Sequence, residues 1–123
     1  DGIYSALRMI EVLSKKKLTP HEVFNSYPKH FSTPEINLKV PEEDKFKIID
    51  KLKTVINSSG YMMIDIDGIR LENENSWGLV RASNTSPNLV LRFEGKTESD
   101  LLEIKNYFKE ILSKIEFDLQ LDF

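Results

Sequence analysis

The chain contains no cysteine, so neither a disulfide framework nor a thiolate metal site can be built from it. Only two histidines, His21 and His30, are present, too few for a histidine-rich zinc site. No apolar run approaches the roughly 20 residues needed to span a bilayer, and the N-terminus lacks the basic-then-apolar plan of a signal peptide. Positive charge is also in deficit: 17 lysines and arginines face 20 acidic residues, a formal charge of -3. Broad nucleic-acid binding needs many phosphate-facing cations and is excluded on that ground. These absences predict a soluble, cytoplasmic protein with neither membrane nor nucleic acid as partner. Any anion it holds must be held locally.

With 123 residues, 40% of them hydrophobic, the chain can bury one modest core, so one compact domain with an appendage is expected. It opens at Asp1-Gly2 without an initiator methionine and runs at once into a helical pattern, which suggests a piece of something longer. Ile3, Leu7 and Ile10 recur at helical spacing, and Lys15-Lys16-Lys17 suit the negative end of that helix. Thr19-Pro20-His21-Glu22 then carries the signature of a capping box with proline at the first helical position. Tyr27-Pro28 ends this second helix. Three units are therefore predicted: a helical segment over residues 1–27, a connector with the character of a hinge over 28–34, and the main domain over 35–123.

Within the main domain, Glu35 to Val40 alternates polar and apolar as a half-buried strand should. Pro41-Glu42-Glu43-Asp44 reads as a first helical turn, with Phe46, Ile49, Leu52 and Ile56 lining the buried face, and Asn57-Ser58-Ser59-Gly60 as its stop. Tyr61 to Ile66 and Ile69 to Leu71 form a hairpin through Asp67-Gly68, a pair that favours a tight type I′ turn. Strands over Trp77 to Arg81 and Leu89 to Glu94 follow. Thr97 caps a last helix with the stripe Leu101, Ile104, Phe108, Ile111 and Ile115. The order is strand, helix, four strands, helix: an α+β fold, β-α-β4-α, whose helices cover one face of a largely antiparallel sheet.

Between the last two strands lies Arg81-Ala82-Ser83-Asn84-Thr85-Ser86-Pro87-Asn88-Leu89-Val90-Leu91-Arg92. A guanidinium offers a planar fork of donors that can grip two phosphate oxygens at once. Ser83 and Thr85 add hydroxyls, Asn84 adds an amide and tolerates left-handed backbone, and consecutive N–H groups in such a turn can form an anion nest. The same residues also fit a plain hairpin loop whose arginines, Arg81 and Arg92, pair with Glu72 or Glu94. Physics alone leaves both open.

Arg81 to Glu94 resembles the phosphate-binding loop in the C-terminal domain of the α-D-phosphohexomutases, specifically the bacterial phosphomannomutase/phosphoglucomutase type. The resemblance extends along the chain. Asp1-Gly2-Ile3-Tyr4 is similar to the end of that family's third domain, Ser32-Thr33-Pro34-Glu35-Ile36 to the start of its fourth, and Asp67-Gly68-Ile69 with Trp77-Gly78-Leu79-Val80 to the run into the loop. Phosphoglucosamine mutases usually carry glycine where Asn84 stands, so Asn84 favours the mannose/glucose branch. The resemblance implies a TATA-binding-protein-like domain in which Arg81, Ser83, Asn84 and Thr85 grip the phosphate that is not transferred, with Arg92 as a supporting cation. It further implies an enzyme that interconverts hexose 6-phosphate and hexose 1-phosphate through a glucose or mannose 1,6-bisphosphate, using a phosphoserine and magnesium in other domains of the same chain.

No setting for a phosphoserine nucleophile is present, so this stretch alone should not catalyse. Asp65-Ile66-Asp67-Gly68 reads as a turn rather than a metal loop, because the further acidic ligands of a cage are not placed nearby. Trp77 is read as a packing anchor for the sheet, Met62-Met63 as core filler, and His21 and His30 as surface or cap residues. A stand-alone interaction module whose arginines serve a protein partner is the alternative from a different class.

Overall fold

Asp1 starts the first helix, α1 (Gly2–Lys16), by accepting from the Ile3 and Tyr4 N–H groups through its carboxylate. The computed structural model of the chain describes residues 1–56 and 60–123. Thr19 and Glu22 form the expected capping box at α2 (Pro20–Asn25), each satisfying the other's backbone donor. Neither helix adds a residue to the central core, whose members run from Leu38 to Ile115. On α1, Ile3, Tyr4, Leu7, Met9 and Ile10 are all exposed.

The core belongs to six strands, β1 (Phe31–Ser32), β2 (Ile36–Lys39), β3 (Met62–Ile64), β4 (Ile69–Glu72), β5 (Ser76–Ala82) and β6 (Asn88–Gly95), and two helices, α3 (Lys45–Val55) and α4 (Glu98–Ser113). The strands form one sheet in the order β1-β6-β5-β4-β3, with β2 also paired along β6, and every pairing is antiparallel. Alternation decides the faces. Val80, Ala82, Leu89, Leu91 and Phe93 are buried in one cluster with Ile48, Ile49 and Leu52 of α3 and Ile104, Phe108 and Ile111 of α4. Both helices therefore cover the same face, as the sequence predicts. Burying a side chain such as Phe108 contributes roughly 1.5–3 kcal/mol relative to leaving it in water. Thr97 caps α4 in a second capping box, with Asp100 as its partner.

The remaining residues of β4 to β6 make an open face. Cross-strand partners share a face, so the register Arg70↔Leu79↔Arg92 and Arg81↔Val90 sets three arginines together there. Trp77 is on this face too, half-buried, with the Arg70 guanidinium 4.1 Å from its ring centroid. It anchors a cross-strand stack rather than the core.

Several local expectations need correction. The connector joins the sheet: β1 pairs with Glu94 and Gly95, Thr33 exchanges hydrogen bonds with Phe93, and His30 Nδ1 lies 2.8 Å from Glu94. Two residues are too short for an alternation to show in sequence. Pro41 to Asp44 form a turn closed by the Asp44 N–H on the Pro41 carbonyl, so α3 starts at Lys45 and its buried stripe is Lys45, Ile48, Ile49 and Leu52. Phe46 consequently points outward and is 57% exposed. The expected stop at Asn57-Ser58-Ser59 lies outside the described residues. Met62 and Met63 are exposed because β3 is an edge strand. The β3–β4 connection is not a two-residue type I′ turn: Gly68 has positive φ, at 89°, while Asp67 does not, and Ile64 pairs with Arg70 across a longer loop.

Beyond α4, Phe117, Leu119, Leu121 and Phe123 of the C-terminal segment pack on the core, and Phe123 stacks on Phe93 at 5.5 Å. Tyr61 and Tyr107 stack beside α4 at 5.1 Å. Both phenols are pushed above their ordinary value, Tyr61 by burial and then the Glu103 charge, Tyr107 by burial and then Glu110. A raised folded-state pKa means stability fully present below the unfolded value, near 10, and lost as pH rises through the folded one. Urea unfolding midpoints are expected to be flat from pH 8 to 9.5 and to fall above about pH 10, with Tyr61→Phe reducing that alkaline loss. An alkaline loss of the same size in Tyr61→Phe would remove Tyr61 as a cause.

Candidate anion-binding site

The β5–β6 hairpin carries the loop, closed at its base by the Ser83 N–H on the Asn88 carbonyl at 2.9 Å. Above that bond the chain bends through Asn84 and Thr85, both exposed, and returns through half-buried Ser86 and exposed Pro87. A relay of side-chain donors stiffens it. Asn88 Nδ2 donates to Ser86 Oγ at 3.2 Å, and Ser86 Oγ donates to Ser83 Oγ at 2.8 Å. The Thr85 N–H adds a long contact to Ser83 Oγ at 3.4 Å. Ser83 thus accepts twice, which leaves its single hydroxyl proton free to donate elsewhere.

Other donors are likewise unspent. Among the described residues, the Asn84 and Ser86 N–H groups, the Asn84 amide and the Thr85 hydroxyl make no hydrogen bond within the protein. Exposed donors of this kind are satisfied by water until an anion replaces it. A bend that concentrates such donors, none of them bonded to a carboxylate among the described residues, is suited to an anion rather than a cation.

Arg81 stands at the end of β5 on the open face. Its Nη1 is 3.5 Å from Asp67 Oδ2, with side chains 41% and 71% exposed. An ion pair that long and that wet contributes little, so the guanidinium remains available to a ligand. Glu72 and Glu94, the carboxylates a plain surface role would assign to the arginines, are engaged by Arg70 at 2.7 Å and by His30 at 2.8 Å. Arg92 is exposed and has no ion-pair partner among the described residues. It is a diagonal neighbour of Arg81, two residues past that residue's partner Val90, a separation of roughly 7–8 Å between backbones. The structure therefore brings Ser83, Asn84 and Thr85 together in one bend, sets Arg81 at its foot, and places Arg92 one step further along the sheet.

Sequence reasoning missed Lys45. Its side chain is 2% exposed, with Nζ 2.6 Å from Glu42 Oε1 and 3.5 Å from the Ser86 carbonyl oxygen. The signal was present: positions 45, 48, 49 and 52 follow the helical stripe, but a lysine in the first of them does not read as a core position. Beside the loop's exit, a cavity of about 570 Å³ is lined by Lys39, Val40, Pro41, Pro87 and Asn88, and not by Arg81 or by Ser83 to Thr85.

The chain's own carboxylates do not suit magnesium. Asp65 reaches Lys53 at 3.5 Å and Asp67 reaches Arg81, and no group of three or more candidate ligands converges among the described residues.

The family described as phosphoglucomutase/phosphomannomutase, C-terminal domain, matches residues 35–111. A phosphomannomutase/phosphoglucomutase of Pseudomonas putida is 47% identical over 123 residues, all of this chain and 27% of that protein. A phosphoglucomutase of Neisseria meningitidis is 42% identical over 114 residues, 91% of this chain and 25% of that protein. The crystal structure of a phosphoglucomutase/phosphomannomutase family protein from Burkholderia thailandensis superposes with a TM-score of 0.77 at 35% identity, over 97% of this chain and 25% of that one. The chain spans about a quarter of the length of the curated relatives it matches.

Proposed function

Because the chain belongs to the phosphoglucomutase/phosphomannomutase family, through its C-terminal domain, we propose that its β5–β6 loop grips the phosphate of a hexose phosphate that is not being transferred. Arg81 supplies the bidentate cation, Ser83 and Thr85 donate hydroxyls, Asn84 donates its amide and N–H, and Arg92 adds positive charge from the open face. The observation that carries this reading is the set of unspent donors in one bend beside an arginine whose one ion pair among the described residues is long and exposed.

In the full-length protein the reaction would interconvert hexose 6-phosphate and hexose 1-phosphate, passing through a glucose or mannose 1,6-bisphosphate. The phosphoserine and the magnesium that the family implies would come from other domains of the same chain, which form the other walls of the cleft. This domain's part is positioning. Binding energy drawn from the remote phosphate orients the sugar so that its other end meets the nucleophile, an effect that appears in kcat as well as KM. Asn84 in place of glycine favours mannose or glucose phosphates over glucosamine phosphates.

An NMR titration of this chain with glucose 1-phosphate tests the reading. Shifts are expected at the backbone amides of Ser83, Asn84 and Thr85, saturating weakly because one wall offers few contacts. Amides of the bend that stay fixed at high ligand, in a folded sample, would instead favour a module whose arginines serve a protein partner.

A further inference from the structure

Lys45 stands where a lysine is least favoured. It is the first residue of α3, at the positive end of the helix dipole, with no acidic residue in that first turn, and its side chain is almost wholly buried. Desolvating an ammonium costs several kcal/mol unless it is paired and hydrogen-bonded. Its one ion-pair partner among the described residues is Glu42, whose side chain is 63% exposed, and the Phe46 ring centroid lies 5.3 Å from Nζ. On the other side Nζ faces the Ser86 carbonyl, which already accepts from the Asn88 N–H at 2.8 Å. The next carbonyl, on Pro87, accepts from the Val40 N–H at 3.0 Å. The returning arm of the loop is thus tied down from beneath by the turn between β2 and α3.

This arm holds Ser86, whose hydroxyl donates to Ser83 and so frees the Ser83 proton. We propose that Lys45 is a positioning residue of the phosphate site, a buried cation that fixes the Ser86 arm and adds positive potential behind the bend. The inference rests on the reading of the loop as a phosphate grip. Glu42 sets its strength: the carboxylate partly neutralises Lys45 and, being at the surface, can give way when an anion arrives.

Two variants of this chain, titrated with inorganic phosphate and followed by NMR, decide the matter. Lys45→Met keeps the stem and removes the charge. Its urea midpoint should be unchanged or higher, since the ammonium's desolvation cost is removed and the carboxylate left behind, on Glu42, is 63% exposed and can be hydrated, while the Kd for phosphate should rise about five-fold. An unchanged Kd in a folded Lys45→Met would overturn the proposal. Glu42→Gln, on the surface, should lower the midpoint yet tighten phosphate binding by about two-fold, an opposite sign that a mere prop would not produce. If Lys45→Met does not fold, Glu42→Gln decides alone, and a Kd that is unchanged or weaker sinks the idea. Wild-type amides of Ser83 to Thr85 that ignore phosphate would remove the reading of the loop and this inference with it. Wild-type binding with indifferent variants removes the inference only.

Discussion

Replacing Arg81 by alanine in the full-length protein that carries this domain is expected to lower kcat/KM for a hexose phosphate by one or more powers of ten. A hydrogen bond to a charged group contributes roughly 1.5–3 kcal/mol, and about 1.4 kcal/mol is a factor of ten, so even one lost contact reaches that size. Arg81 sits at the foot of the loop, and its ion pair with Asp67 is long and exposed. Nothing else in the bend carries a full positive charge, because Lys45 is buried behind it and Arg92 is a sheet position away. Arg81→Lys should fall between, keeping the charge but losing the planar fork. The control is Arg70→Ala. That arginine shares the open face, yet its guanidinium is stacked on Trp77 and paired with Glu72, so kcat/KM should stay within about three-fold, the range of weak exposed contacts. Steady-state kinetics on the three variants separate a specific grip from a general need for positive charge. Equal losses in Arg81→Ala and Arg70→Ala would contradict the assignment.

The parts legible in sequence were those governed by local chemistry. The capping box at Thr19, the cap at Thr97, the strand from Glu35 and the α4 stripe depend on neighbours within a few residues, and the structure has each of them. What depends on distant partners was hidden. Phe31 and Ser32 became a strand only because β6 offered a free edge. The phase of α3 was misplaced because Pro41 to Asp44, rich in helix-starting residues, closes into a turn first, and because Lys45 takes a buried position that its residue type disguises. At the site, the residue types of Arg81 to Thr85 fitted an anion cradle and a plain hairpin loop alike, and the relay from Asn88 through Ser86 to Ser83 and the charge beneath it could not be read from spacing.

Gly68 joins the two levels. Its φ of 89° lies where L side chains rarely go, and a Cβ there would stand 2.4 Å from the Val80 carbonyl oxygen and 2.6 Å from Arg81 Cβ. These are atoms of the central strand β5 and the root of the Arg81 side chain, neither of which can swing aside. Gly68→Ala should therefore lose roughly 1–2 kcal/mol to backbone conformation and a further 1–3 kcal/mol to overpacking, about 2–5 kcal/mol together. Gly60→Ala provides the comparison. Gly60 also has positive φ, at 93°, but a Cβ there meets nothing within 4 Å, so only the conformational part, roughly 1–2 kcal/mol, should appear. Urea unfolding of both variants isolates the clash as their difference. A functional consequence should accompany it: relief of the clash must move β4 or β5, and moving β5 displaces Arg81, so Gly68→Ala should weaken phosphate binding under conditions where the variant is fully folded, while Gly60→Ala should not. Matching midpoints in the two variants, or wild-type phosphate affinity in folded Gly68→Ala, would show that the Asp67-Gly68 turn does not set the position of Arg81.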